Sequence, residues 1–487
     1  MVPGDPAVSA LGATAPRIAP RHGIFVNRTI NLRSIKAIGY DMDYTLVHYH
    51  TGEWETTAFA FAKSNLLDMG YPVADIEFDP RTVIRGLAID LEEGNLVKAT
   101  RFGYVIRASH GSAFLGYDEV RQTYAGTLVD LAEDRFEFIN TLFSLSEASL
   151  YAQLVDLMDA GKIEKGIGYR GLYQAVVSSL DGAHNEGSLK QAILADPERF
   201  VDLDPDGVLA LVDQLKAGKR LMLVTNSEWE YTVRIMEYAF DPYLPAGMNW
   251  RDLFAAIIVS ADKPSFFTSN KPLYKVVDED AALLRPHIGE IEPGSVFYGG
   301  CATQVEAFLG LSGDEILYVG DHLFGDVHFS KALLRWRTAL ILRELESEMD
   351  GLLEFRPKEQ ELERLMASKS ALEAEMADVR LALQRTRLGY ADPPAGVEAD
   401  KDRLDAIRSE IAAIDEEITP LAIAASRLRN EAWGPLMRSG IDKSLFARQV
   451  EKYADCYTSR VANFANVSPF ALLRASRVDL PHDTWIE

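Results

Sequence analysis

Ile38-Gly39-Tyr40-Asp41-Met42-Asp43-Tyr44-Thr45-Leu46 is an apolar run that ends in two carboxylates two positions apart. Residues i and i+2 of a strand point to the same side, so the run predicts a buried strand that delivers Asp41 and Asp43 to one spot at its end. Two like charges that close need a counter-cation. Mg2+ suits them, a hard ion that takes oxygen ligands while keeping several waters. Alone, such a pair in so acidic a chain also reads as solvated loop carboxylates, so it needs support from elsewhere.

Similar short apolar runs recur at Leu221–Val224, Ala255–Val259, Ile316–Val319 and Thr338–Leu342, and with Ile35–Tyr40 they read as buried parallel strands. Helical periodicity lies between them, at Val208–Leu215 and Thr303–Leu309, which predicts a doubly wound α/β sheet with its ligand beyond the strands' carboxyl ends. Positions 41–220 separate the first two strands, far more than the roughly dozen residues of a simple crossover. The insertion holds strand-like pieces (Thr82–Ile89, Leu96–Thr100, Tyr104–Ala108) and helical ones (Leu145–Met158, Gly171–Leu180), an α+β cap over the sheet's active edge. From Leu353 the composition turns to Glu, Lys, Arg, Ala and Leu. Two seams follow, Leu362, Leu365, Leu372, Met376, Val379, Leu383 and Leu404, Ile407, Ile411, Ile414, Ile418, Leu421, parted by Asp392-Pro393-Pro394 and Gly396: an antiparallel helical hairpin. The expected divisions are a flexible tail (1–22), a core (23–50 with 200–350), the cap (51–199), the hairpin (351–430) and a segment packing on the core (431–487).

The chain has 487 residues, 47% of them hydrophobic, enough for a large core, and a net charge of −23 that repels nucleic acid and anionic membrane. A phosphate ligand therefore needs a local cationic site. No stretch approaches the roughly 18 apolar residues of a membrane span. Cys301 and Cys456 follow no metal-ligand spacing, which fits a reducing cytoplasm.

Three later strand ends supply what the first lacks. Leu223-Val224-Thr225-Asn226-Ser227 offers a hydroxyl and backbone N–H groups for phosphoryl oxygens. Val259-Ser260-Ala261-Asp262-Lys263-Pro264 offers a lysine for an anion, and Tyr318-Val319-Gly320-Asp321-His322-Leu323-Phe324-Gly325-Asp326 a pair of acids to complete a metal shell. In this order, at strand ends, the four segments point to metal-assisted phosphoryl transfer.

The motif order resembles that of the haloacid dehalogenase superfamily, and most closely its cytosolic purine 5′-nucleotidase branch. Phe25-Val26-Asn27-Arg28, Asp41 to Leu46, Arg85-Gly86-Leu87, Asn140-Thr141-Leu142-Phe143, Thr225-Asn226-Ser227, Lys263-Pro264 with Phe266-Phe267, and Gly320 to Asp326 all look like that branch. So do Arg438-Ser439-Gly440, Leu445-Phe446-Ala447, Tyr453-Ala454-Asp455 and Leu480-Pro481-His482, so that the likeness runs from Gly23 to Asp483. The resemblance implies a Mg2+-dependent phosphohydrolase in which Asp41 attacks phosphorus and Asp43 is the acid/base. It implies Mg2+ on the carboxylates of Asp41 and Asp321 and the main-chain carbonyl of Asp43, with Asp326 nearby. Thr225, Asn226 and Lys263 would cradle the phosphoryl group. Its members form dimers or tetramers, implying a homo-oligomer.

In the cap, Phe143 matches the aromatic on which a base stacks, and Asp181, His184 and Lys190 match positions lining the nucleotide pocket. Ser144 and Val177 stand where the animal purine enzymes carry asparagine and arginine, so the base stays open. The expected substrate is a nucleoside 5′-monophosphate of the IMP or GMP type, with phosphotransfer to a nucleoside as a companion reaction. Alternatives are another small phosphomonoester such as a sugar phosphate, or a non-catalytic nucleotide-binding scaffold.

Overall fold

The computed structural model describes residues 19–477 apart from 186, 279–282, 288, 290, 291 and 293, with the side chains of 181–185 also outside the description. Residues 1–18 of the expected tail and Leu480-Pro481-His482 lie outside the described residues.

In chain order the elements that frame the molecule begin with β1 (Phe25–Val26), β2 (Ala37–Tyr40) and β3 (His48–Tyr49). The insertion follows: α1 (Thr51–Asp68), β4 (Ala88–Asp90), β5 (Asn95–Ala99), β6 (Val105–His110), β7 (Ala113–Phe114), β8 (Phe136–Phe138), α2 (Leu145–Asp159), α3 (Gly168–Asn185) and α4 (Ser188–Ala195). The chain returns through β9 (Val201–Asp202), α5 (Pro205–Lys216), β10 (Arg220–Val224), α6 (Trp229–Phe240), β11 (Phe254–Val259), β12 (Leu273–Asp278), β13 (Leu283–Pro286), β14 (Ser295–Gly299), α7 (Ala302–Leu309), β15 (Ile316–Gly320) and β16 (Arg337–Ile341). Last come α8 (Leu345–Leu388), α9 (Lys401–Ser426) and β17 (Cys456–Thr458).

Ten strands form the main sheet in the order β1-β17-β16-β15-β2-β10-β11-β14-β12-β13. The run from β17 to β14 is parallel throughout, and the flanking strands are antiparallel. β2 lies between β10 and β15, where the winding reverses direction, the crevice in which such sheets bind ligands. Register places the chemistry there: Tyr40 pairs with Leu223 on one side and Val319 on the other, so the residues after all three strands emerge at one level. Alternate residues of the same strands enter two different apolar clusters. Ile38, Leu221, Ile257 and Leu317 join the large one with α5 and α6, and Ala37, Met222, Ile258 and Tyr318 join a second with α7. Helices on both faces explain why these strands read as unbroken apolar runs rather than as alternation.

The insertion carries a five-stranded antiparallel sheet, β7-β6-β5-β4-β8, packed with α1, α2 and α3. The strand read at Thr82–Ile89 is shorter than the sequence suggests, because only Ala88–Asp90 pairs. Gly86 takes φ +87° and Arg85 turns its guanidinium out of the run onto Glu344. Leaving and returning chains pair as a ribbon, β3 antiparallel to β9 with Tyr49 opposite Val201.

α8 and α9 pack on each other as the two apolar seams dictate, with Val379, Leu404 and Ile407 buried among Leu372, Met376, Leu383 and Ile411. Lys369–Asp415 and Arg403–Glu375 bridge the pair. α8 starts ahead of the compositional change at Leu353 because its first turns bury Leu345, Glu348 and Gly351 against the body. No described helix is long and apolar enough to cross a membrane. Cys301 and Cys456 are buried free thiols.

Ile407, 0% exposed, is the centre of the hairpin's seam. Ile407→Ala should cost about 2–4 kcal/mol locally. Hydrogen exchange should then accelerate in the hairpin amides, while turnover changes by less than about two-fold because that packing is remote from the sheet.

Candidate active site

Asp41 N–H donates to Val319 O at 2.9 Å, extending the parallel pairing of β2 by one residue before the chain turns. The N–H groups of Thr45, Leu46 and Val47 then converge on Met42 O, and Tyr44 takes φ +55°, a conformation that costs a bulky side chain energy. This turn gives the two aspartates different partners in the same cavity. Asp41 Oδ1 accepts from Met42 N–H at 2.7 Å and meets Lys263 Nζ at 2.7 Å. Asp43 accepts from the Tyr49 hydroxyl at 2.5 Å on Oδ1 and from the Ser227 hydroxyl at 2.7 Å on Oδ2.

At the end of β10, Thr225 Oγ1 accepts the Ser227 N–H at 3.0 Å, and Asn226 spans the backbone of Lys263, accepting its N–H at 2.7 Å and donating to its carbonyl at 3.1 Å. Beyond β11, Ser260 and Asp262 both adopt positive φ, turning the chain so that Lys263 points inward. Its ammonium meets Asp41, Asp326 Oδ1 at 2.8 Å and the Tyr318 hydroxyl at 3.2 Å. Beyond β15 comes a wide helical turn, Leu323–His328, in which His322 Nδ1 accepts from Gly325 N–H at 2.7 Å. Asp326 Oδ2 folds back to accept the His322 N–H at 3.1 Å. Gly320 permits that fold, for a Cβ there would stand 2.4 Å from Asp326 Oδ2.

Asp41, Asp321 and Asp326 each bring an oxygen within 4.8 Å of the other two. Burial, opposed by Lys263 and reinforced by Asp326, pushes the Asp41 carboxyl up to about 6. Burial, then the charges of Asp326 and Asp41, holds Asp321 well above the usual carboxylate range. Asp43 is also raised, first by burial, with the charge of Lys190 and the Tyr49 and Ser227 hydroxyls acting against it. Burial disfavours the Lys263 ammonium, but Asp326 and Asp41 outweigh it and keep the group charged. A cation fits this set: the donors are hard oxygens, and buried Asp321 Oδ1 has no hydrogen-bond partner.

The cap closes the site from above. Thr141 donates its hydroxyl to Asp321 Oδ2 at 3.3 Å and accepts the Phe143 N–H. Phe143 stands edge-on to Tyr44 and Trp54, at 4.8 and 5.3 Å between ring centroids. Lys190 from α4 reaches across to Glu228 at 2.6 Å and lies 5.4 Å over the Tyr231 ring. Asp41, Asp43, Thr225, Asn226, Lys263, Asp321, Phe143 and Lys190, each singled out in the sequence, line one cavity of about 240 Å³. The side chains of Asp181 and His184, in the last turns of α3, lie outside the described residues.

Sequence reasoning assigned no role to several residues that build this site. Trp54 walls the cavity. Buried Arg85 donates to both oxygens of Glu344, at 2.8 and 2.5 Å, and to the carbonyl of Asp321 at 3.2 Å, holding that loop from below. A lone arginine between Val83-Ile84 and Leu87-Ala88 is the signal that marks it, a charge inside an apolar run.

A doubly wound sheet that gathers buried carboxylates and a lysine at its switch point, beneath an inserted segment, suits a phosphoric monoester hydrolase. The model of the 5′ nucleotidase family matches residues 24–485. The chain belongs to that family. It is 27% identical over 487 residues to 5′-nucleotidase domain-containing protein 2 of Homo sapiens, covering 95% of this chain and 86% of that one. With a 5′-nucleotidase domain-containing protein of Dictyostelium discoideum it shares 27% over 483 residues, 96% of this chain and 76% of the other. Among solved structures, a predicted phosphoglycolate phosphatase from Haemophilus somnus aligns with 63% of this chain and 85% of its own, at 15% identity and a TM-score of 0.28.

Gly320→Ala should drive the added methyl into Asp326 and displace it from Lys263. Phosphomonoesterase kcat/KM should fall by about 100-fold or more with the circular dichroism spectrum unchanged, since a small misplacement of reacting groups is enough for such a loss.

Proposed function

We propose that this chain is a Mg2+-dependent 5′-nucleotidase that hydrolyses nucleoside 5′-monophosphates, of the IMP or GMP type, through an aspartyl-phosphate on Asp41. The observation that carries the reading is the meeting of Asp41, Asp321, Asp326 and Lys263 in one cavity beside Asp43. The carboxylates of Asp41 and Asp321 and the main-chain carbonyl of Asp43 would hold Mg2+, with Asp326 beside them. When bound, the ion supplies charge neutralisation to the phosphoryl oxygens and to the acids themselves.

A carboxylate nucleophile divides the hydrolysis into two displacements. In the first, Asp41 Oδ forms a bond to phosphorus as the bond to the 5′-oxygen breaks, and Asp43 gives that oxygen its proton. In the second, Asp43, now a carboxylate, takes a proton from water as the water oxygen bonds to phosphorus and the Asp41–phosphorus bond breaks. Phosphate leaves, and both aspartates regain their starting states. A nucleoside hydroxyl in place of water gives phosphotransfer by the same step. Lys263, Thr225 and Asn226 steady the phosphoryl group, whose charge spreads over its equatorial oxygens in the transition state. Phe143 offers a ring face to the base, and Lys190 a cation near the sugar side.

The cavity volume favours a second reading, a smaller phosphomonoester such as a sugar phosphate. At about 240 Å³ it is below the roughly 300–1,000 Å³ of most small-molecule sites. Phosphate release from a panel of nucleoside monophosphates and sugar phosphates decides between the two, run with Mg2+ and with chelator. Metal-dependent turnover highest on a purine nucleotide supports the first reading. A sugar phosphate as best substrate selects the second, and nucleotide binding with no turnover on any substrate rejects both.

Asp41→Asn should abolish turnover while the fold persists; wild-type activity in that variant would overturn the covalent mechanism. Arg85→Met removes the support beneath Asp321. The Mg2+ concentration giving half-maximal activity should then rise by about 10–100-fold, the usual effect of losing a group that orients a metal ligand.

A further inference from the structure

Asp43 must present its carboxyl to a leaving oxygen in one half of the proposed cycle and to water in the other, and two hydroxyls fix where that carboxyl points. Ser227 belongs to the strand end already described. Tyr49 does not: it lies on β3, the strand that carries the chain out of the core, with its backbone paired to Val201 of the returning strand. Its ring is buried against Trp54 at 4.5 Å and Tyr44 at 5.3 Å, so its hydroxyl cannot swing away to solvent. That hydroxyl sits 2.5 Å from Asp43 Oδ1 and 2.8 Å from the Tyr231 hydroxyl, which comes from α6.

The proton count sets the direction of this chain. A phenol has one proton, and with Asp43 ionised Tyr49 gives it to the carboxylate. Tyr231 therefore donates to Tyr49. Hydroxyls in series polarise one another, so the terminal bond to Asp43 gains strength from the second tyrosine. One lone pair on each carboxylate oxygen is taken, on Oδ1 by Tyr49 and on Oδ2 by Ser227, which leaves the remaining lone pairs for exchange with the cavity that Asp43 lines.

We infer that Tyr49, backed by Tyr231, is a positioning residue that holds the Asp43 carboxyl in the orientation from which it delivers a proton to the leaving oxygen and takes one from water. The inference rests on Asp43 being the acid/base. It goes beyond that assignment in giving the strand that leads into the cap a part in the chemistry.

Leaving-group dependence tests it. The ratio kcat/KM reports steps up to transfer of phosphorus to Asp41 and omits the later hydrolysis. A p-nitrophenolate departs without a proton, whereas the alkoxide of a nucleoside or sugar phosphate needs one. Tyr49→Phe keeps the packed ring and removes the hydroxyl. In the full chain with Mg2+, its kcat/KM should fall about 10–100-fold on the best alkyl phosphate and less than about three-fold on p-nitrophenyl phosphate, given the size of general-acid contributions. Tyr231→Phe should show the same selectivity with a smaller loss, of about three- to ten-fold. Equal losses on both substrates would mean a structural role and overturn the inference, as would no loss on either. If Tyr49→Phe does not fold, as judged by thermal melting, Tyr231→Phe alone decides by the same criterion. Asp43→Asn separates the two levels. Selective loss there without selective loss in the tyrosine variants overturns this inference only, while an unselective loss at Asp43 removes the acid/base assignment beneath it.

Discussion

Three carboxylates with oxygens within 4.8 Å of one another would repel if they stood alone in a buried crevice, and one ammonium makes their meeting tolerable. Lys263 touches Asp41 and Asp326 together, its side chain only 4% exposed. Because Asp41 follows β2, Lys263 follows β11 and Asp326 follows β15, this contact ties the ends of three strands. Asn226 adds the fourth by gripping the lysine's backbone from beyond β10. The sheet brings the ends to one level, and the buried charges hold them at hydrogen-bond distance. Compensation remains incomplete, for Asp321 keeps an unpartnered oxygen and stays raised by burial and then by its acidic neighbours. That residual charge is one a divalent cation would fit.

Core and cap divide the work. Asp41, Thr225, Asn226, Lys263 and Asp321 line the cavity from beyond the ends of parallel strands, where register fixes them. Trp54, Phe143 and Lys190 line it from the insertion. Among the described residues, Thr141 to Asp321 and Lys190 to Glu228 bridge core and cap directly. Arg85 adds a third connection, since it belongs to the insertion yet sits beneath the Asp321 loop and pairs with Glu344 just before α8.

The core was legible because its physics is local. A strand buried on both faces must be an unbroken apolar run, and the runs at Ile35–Tyr40, Leu221–Val224, Ala255–Val259 and Ile316–Val319 coincide with β2, β10, β11 and β15 to within two residues. The hairpin seams were legible for the same reason, each being a period of one helix. β12 and β13 went unread, since their exposed, mixed composition carries no such run. The polar groups that complete the site were illegible in another way. Thr141, Tyr49 and Trp54 acquire meaning from partners 180 or more positions away or from rings packed across a turn, as with Thr141 and Asp321 or Tyr49 and Tyr231, while Arg85 is marked as a charge inside an apolar run but its partner is not. No periodicity announces such a partner. The direction of the two carboxylates was half legible: alternation along a strand sends Asp41 and Asp43 to one side, but Tyr44's positive φ separates their partners.

The ribbon of β3 and β9 makes the insertion's two ends lie side by side, with Tyr49 facing Val201 across one pair of strands. A segment whose ends already touch can lengthen, shrink or be exchanged with little loss of chain entropy elsewhere and without moving the sheet. The insertion and the strand ends can therefore diverge at different rates in descendants of this chain. The exceptions are Tyr49, which stands on the seam itself, and Arg85 and Thr141, which reach the Asp321 loop from within the insertion. A replacement module is free in form only where it does not touch the core, and must still meet the contacts that Arg85 and Thr141 make with the Asp321 loop.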